Sequence, residues 1–179
     1  MKYILFLIVL CLFVPFVAER MNEIMYVKLI FQILGTAFCG VISGLKTARV
    51  SERFHLHSGS IVFFIGTIAF WTIPRSVDLS VLHYYAHIIM LCNLFFAGFF
   101  LGTNLKHMSF VLKMALGIYG LSMFLTTGLV YYSYESLLCA VYTIEMQNLT
   151  GKIMLQIFPF AGIFFIYRLF ENFRKMSRQ

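Results

Sequence analysis

The sequence predicts an all-α fold, a polytopic transmembrane helical bundle of about six spans, on three observations. Of its 179 residues, 61% are hydrophobic and only 12% charged, against about 25% charged in a soluble domain. The apolar residues fall into continuous runs near the length of a span, without the period-2 alternation of a membrane barrel. Basic residues sit between those runs, where topology determinants belong. A chain this short cannot hide so much apolar surface in one core. The lipid bilayer is therefore the solvent for most of it, and residues 1–179 read as a single integral membrane domain.

The runs are 3–18, 24–44, 59–74, 81–102, 109–133 and 151–170. Lys2 ahead of the first gives it the outline of a signal peptide, but Phe16 is too large for the cleavage motif. A retained first helix is expected. Gly35, Gly40 and Gly44 in the second run, and Gly117 and Gly120 in the fifth, permit close helix packing. Trp71 suits an interface at the end of the third run, and Pro74 stops it. The stretch 137–150 starts apolar and then carries Glu145, Gln147 and Asn148, so it reads as interfacial or re-entrant. A seventh span merging it with its neighbours is the alternative.

Six spans divide the 14 Lys and Arg unequally. Lys2, Lys46, Arg49, Arg53, Lys106, Lys113, Arg168, Arg174, Lys175 and Arg178 share one side, while Arg20, Lys28, Arg75 and Lys152 share the other. Positive-inside logic makes this a multi-pass cell-membrane protein with both termini cytoplasmic. It also explains the net charge of +7 without any nucleic-acid partner. The sequon Asn148-Leu149-Thr150 then faces outward, where a glycan could be attached. Cys11, Cys39, Cys92 and Cys139 form no CxxC pair and read as small buried hydrophobes.

Chemistry concentrates at the start of the fourth run, His83-Tyr84-Tyr85-Ala86-His87-Ile88-Ile89-Met90. On a helix, i, i+4 and i+7 share a face, which stacks His83, His87 and Met90. Two imidazoles and a thioether suit copper, with sulfur favouring Cu(I), and zinc or haem iron could also take the histidines. Met154, about one turn into the sixth run, can close the set from the same side. The plain alternative is a pair of histidines hydrogen-bonded at a helix end. Asp78 or Arg75 can hold the His83 tautomer, or the two can simply pair across a turn. His55 and His57 fall on the opposite side, in a basic loop. No HExxH, Ser/His/Asp set or phosphate-binding glycine loop is present, so no enzyme is expected.

The stretch 146–162, MQNLTGKIMLQIFPFAG, resembles a conserved block of the CtaG family of membrane proteins. That block reads approximately Asp-Gln-Gln-Leu-Ala-Gly-x-Ile-Met-Trp. Gln147, Leu149, Gly151, Ile153 and Met154 match it, while Met146 and Leu155 depart from its Asp and Trp. HYYAH resembles the family's His-x-x-x-His helix. Through FWTIPRSVDLS and AGFFLG the chain also looks like a group of archaeal membrane proteins. The resemblance implies an assembly or copper-handling factor for a caa-type oxidase or a related copper-dependent membrane enzyme, with that larger membrane complex as partner. The residues leave two other readings open. One is a small accessory subunit of an oxidase complex. The other is a b-type haem protein, which wants histidines at matched depth on two helices.

Overall fold

The computed structural model describes residues 24–47, 57–134 and 136–176. The run 3–18, Arg49, Arg53, His55 and the last three residues lie outside the described part. Every regular element in it is helical. Helix α1 spans Val27–Thr47, π-helical over Val27–Leu34 and α-helical from Gly35. Then come α2 (His57–Thr72), α3 (Pro74–Leu82), α4 (Tyr84–Leu105), α5 (Phe110–Ser133) and α6 (Ile144–Met176). Four helices, α1, α4, α5 and α6, are long and apolar enough to cross a membrane, and α2 with α3 makes a fifth candidate bent by 73°.

The bend has a local cause. A residue before proline is pushed out of the helical region, and Ile73 is extended, with φ −64° and ψ 133°. Pro74 then takes the first position of α3, where its missing N–H costs nothing. Ten residues after Ile73 the chain breaks again. His83 is extended (φ −122°, ψ 116°) and caps both the end of α3 and the start of α4. The span expected at 81–102 therefore starts at Tyr84, and α3 lies as a short arm between two spans. At the other end of the molecule, Ser109 caps α5 by accepting a hydrogen bond from the Leu112 N–H at 3.3 Å.

Two close helix contacts organise the bundle. Helices α1 and α4 run parallel with backbones touching. A Cβ on Gly40 would fall on the Phe95 carbonyl oxygen, one on Gly44 on that of Phe99, and one on Gly98 on that of Ala37. Helices α5 and α6 form an antiparallel hairpin, with Gly151 against Tyr131 and Tyr132 and Gly128 against Met154. Between the two bodies lies an apolar cavity of about 100 Å³, lined by Leu29, Ile68, Met123, Phe124 and Met154 among others.

Helix α6 starts at Ile144, seven residues before the expected 151, and runs for 33 residues. At 1.5 Å per residue that is roughly 50 Å, more than a bilayer core needs. The polar residues Glu145, Gln147 and Asn148 are its first turns, and 136–143 alone is irregular. The 137–150 stretch therefore divides: 137–143 is irregular, and 144–150 is the beginning of α6, whose 144–171 part is long and apolar enough to cross a membrane. The sequon lies within α6, where its Asn148 is half-buried and the Thr150 hydroxyl, fully buried, donates to the Met146 carbonyl at 2.7 Å.

The α1–α4 contact is directly testable. Gly98→Ala overpacks against backbone that cannot move aside and should cost about 3 kcal/mol, the upper end for core overpacking. Gly66→Ala places its methyl in open space and should be neutral or slightly stabilising. Thermal unfolding in detergent checks this, and equal melting temperatures for the two variants would refute the contact.

Candidate functional site

Five chain segments meet at one end of the bundle: the start of α1, the end of α2 with α3, the start of α4, the end of α5, and 136–143 with the start of α6. Their buried members include Met25, just ahead of α1, with Lys28, Leu29 and Gln32; Trp71 and Val77; His87, Met90 and Leu94; Tyr131; and Cys139, Tyr142 and Gln147. The apolar members of this layer belong to one hydrophobic core cluster, against which the polar ones are set.

The π-helical start of α1 supplies its least expected members. Lys28 is 0% exposed and Gln32 is 3% exposed. Stretches of π-helix are rare and collect at functional sites. Here Lys28 and Gln32 share the inner face with Leu29 and Ile33. Across from them, α4 buries His87, which is 4% exposed. Gln32 Nε2 lies 3.3 Å from His87 Nε2. Gln32 Oε1 and His87 Nδ1 are buried with no hydrogen-bond partner. Leaving such a group unpaired costs about 1–3 kcal/mol, and intramembrane ionisable residues mark functional sites by default. Lys28 is close enough for its charge to act on the His87 ring, and Asp78 acts in turn on Lys28.

A lid of irregular chain closes this end. The Asp78 carboxylate accepts from the Ala140 N–H at 2.7 Å and the Val141 N–H at 3.4 Å. The Gln147 amide accepts from the Leu138 N–H and donates to the Cys139 and Tyr142 carbonyls, at 3.1, 3.2 and 3.2 Å. Cys139 Sγ donates to the Pro74 carbonyl at 3.7 Å, and the Tyr131 hydroxyl donates to that of Thr72 at 3.4 Å. Burial, with the nearby Asp78 charge, pushes the Cys139 thiol up to about 12. Burial also raises the Tyr142 phenol, with Cys139 and Asp78 contributing.

The sequence-predicted residues divide. His87 and Met90 are one turn apart on α4, both buried in this layer. His83 is not stacked on them: it sits outside the helix at the extended break, and its side chain is exposed. Met154 is buried, but it lines the apolar cavity and packs on Gly128. Asp78 binds the lid backbone, so it is not spent on holding the His83 tautomer. Among the described residues, no three of His, Cys, Asp and Glu cluster as a metal site. Any metal here would be held by imidazole and thioether. Sequence reasoning missed Met25, Lys28 and Gln32. An amide and an ammonium four residues apart inside an apolar run were the available signal.

No family model, curated protein or solved structure matches the chain. What geometry defines is the class: an all-α membrane protein with a buried polar site under a lid at one end.

The lid has a built-in reporter. Asp78→Ala removes two backbone hydrogen bonds to a charged acceptor, each worth about 1.5–3 kcal/mol. Cys139 should then be alkylated at least tenfold faster at pH 8 than in the wild type, and an unchanged rate would refute the lid. A linked pH effect follows. The folded thiol keeps its proton to about 12 while an ordinary one loses it near 9, so its contribution to stability is whole below pH 9 and fades as pH climbs toward 12. Cys139→Ala should flatten that alkaline slope in pH-dependent unfolding.

Proposed function

We propose that this chain is an integral membrane assembly or copper-handling factor serving a respiratory or copper-dependent membrane enzyme. One observation carries the reading: the enclosed His87 ring, its Nε2 engaged by Gln32 and its Nδ1 unpartnered, one turn from the buried Met90 thioether. Met25, in the same buried cluster, offers a second thioether. Neutral nitrogen and sulfur donors suit Cu(I) and need no deprotonation to bind it. The neighbouring Lys28 ammonium opposes any cation at His87, a monovalent one least, so the site holds Cu(I) weakly enough to pass it on. His83, exposed at the rim, is placed to receive an ion before it reaches His87. The resemblance of HYYAH and 146–162 to the CtaG family supplies the assembly role and the client complex. The b-type haem reading loses ground, because His83 and His87 flank one helix start.

The charge distribution orients the molecule. Lys46, Lys106, Lys113, Arg168 and Arg174 belong to the end opposite the site, so the positive-inside rule puts that end in the cytoplasm and the lid outside. The C-terminus then faces the cytoplasm, and so does the N-terminus with the run 3–18 as a span.

Copper content of purified protein, after a mild chelator wash, tests the site. Wild type should hold about one equivalent, His87→Ala none, and His107→Ala, in the turn after α4, as much as wild type. Copper-free wild type from copper-replete cells, co-purifying with large membrane subunits, would replace this reading with the accessory-subunit one. Tags at Met1 and Gln179 should both resist external labelling of intact cells, and labelling of either would overturn the orientation.

A further inference from the structure

We infer that the Gln32 carboxamide is a two-position switch that decides whether His87 can bind a metal through Nδ1. The inference rests on the copper reading of this site, and it adds the residue that controls it.

The argument follows from donor and acceptor inventories. A neutral imidazole has one protonated nitrogen and one bare nitrogen. In the structure the Gln32 group facing His87 Nε2 is the amide nitrogen, at 3.3 Å, and an amide nitrogen only donates. Nε2 must therefore be the bare acceptor, and the proton sits on Nδ1. In that tautomer Nδ1 has no lone pair for a metal. Its N–H and the Gln32 carbonyl oxygen are both buried and unpartnered.

Turning the amide by half a revolution reverses every role. Gln32 Oε1 now faces the ring and accepts a hydrogen bond from Nε2–H, while the amide nitrogen takes its place as the unpartnered end of the side chain. The proton that leaves Nδ1 reappears on Nε2, so metal uptake releases none from this histidine. Nδ1, buried and without a protein partner, is left bare. A metal-ligating histidine needs just such a partner on its other nitrogen. Both side chains are more than nine-tenths buried, so water does not readily replace either partner. The closed position keeps His87 from binding when no metal is offered, and the open position is stabilised by the metal itself. Gln32 is thus a positioning residue for His87.

The two ring nitrogens are distinguished by 15N NMR of histidine-labelled protein in detergent, because protonated and bare nitrogens resonate far apart. Ag(I) serves as a redox-stable probe for Cu(I). Metal-free wild type should show His87 protonated at Nδ1, and Ag(I) should move the proton to Nε2. Gln32→Glu, whose carboxylate only accepts, should show Nε2–H with no metal present. Gln32→Met, of similar size and with no amide, should lose the single tautomer and weaken Ag(I) binding by about 10–100-fold, the usual cost of removing such a partner. The same metal-free tautomer in wild type and Gln32→Glu would overturn the switch. Should Gln32→Glu fail to fold, a wild-type Nδ1–H pattern persisting in Gln32→Met would overturn it equally. If no variant binds Ag(I), the copper reading fails, and the metal-free spectra still decide whether Gln32 sets the tautomer.

Discussion

The contact between α1 and α4 is the constraint on which the rest of the structure depends. Without a hydrophobic force between helices in lipid, close approach and packing must hold them together. Gly40, Gly44, Gly98 and Gly102 remove the side chains that would keep the two backbones apart. The contact also sets a register. Gly40 meets Phe95 and Gly44 meets Phe99, each 55 positions on, and the Gln32–His87 pair has the same separation. The parallel glycine ladder, extended toward the site end, brings a glutamine on one helix to a histidine on another. A shift of one turn would strand both polar groups against apolar neighbours.

A second constraint acts where the chain leaves the helices. Backbone N–H and C=O groups near the membrane need partners. The irregular lid meets that need by borrowing side chains from elements on either side of it. Asp78 takes two amides, and Gln147 takes one amide and two carbonyls. Those bonds tie the α5–α6 hairpin to α3 at the site end. Farther from that end the hairpin stands away, and the apolar cavity opens between the bodies. The lid is thus both a cover for the polar layer and the main tie between two halves.

Much of this was legible in the sequence. The runs 24–44 and 109–133 sit close to α1 and α5, because long apolar segments in lipid have one stable form. The glycines were visible as packing residues, though not which helix they would meet. The site was half legible. His87 and Met90 do lie one turn apart and buried on the same helix, since their spacing holds on any helix. His83 was misplaced, because the column assumed an unbroken helix through 83. The chain there already turns at Ile73-Pro74, and His83 is where the short arm rejoins a span. Met154 was placed near the mouth by counting residues, but the orientation of α6 depends on the Gly128 and Gly151 contacts, which no count reveals. Gln32 and Lys28 were hidden for a different reason. Each is a single polar residue in an apolar run, and its meaning comes only from the helix that lies opposite.

The central claim is that His87 is enclosed in a polar layer while His83, four residues earlier, is at the surface. Diethyl pyrocarbonate carbethoxylates accessible neutral imidazoles, and peptide mass spectrometry reads each histidine separately. Treatment of the protein in membrane vesicles with the site end facing the reagent should modify His83 readily and leave His87 protected by at least tenfold in rate. Equal modification of the two would mean that the ring sits in solvent, and the account of an enclosed site positioned by the glycine ladder would be wrong.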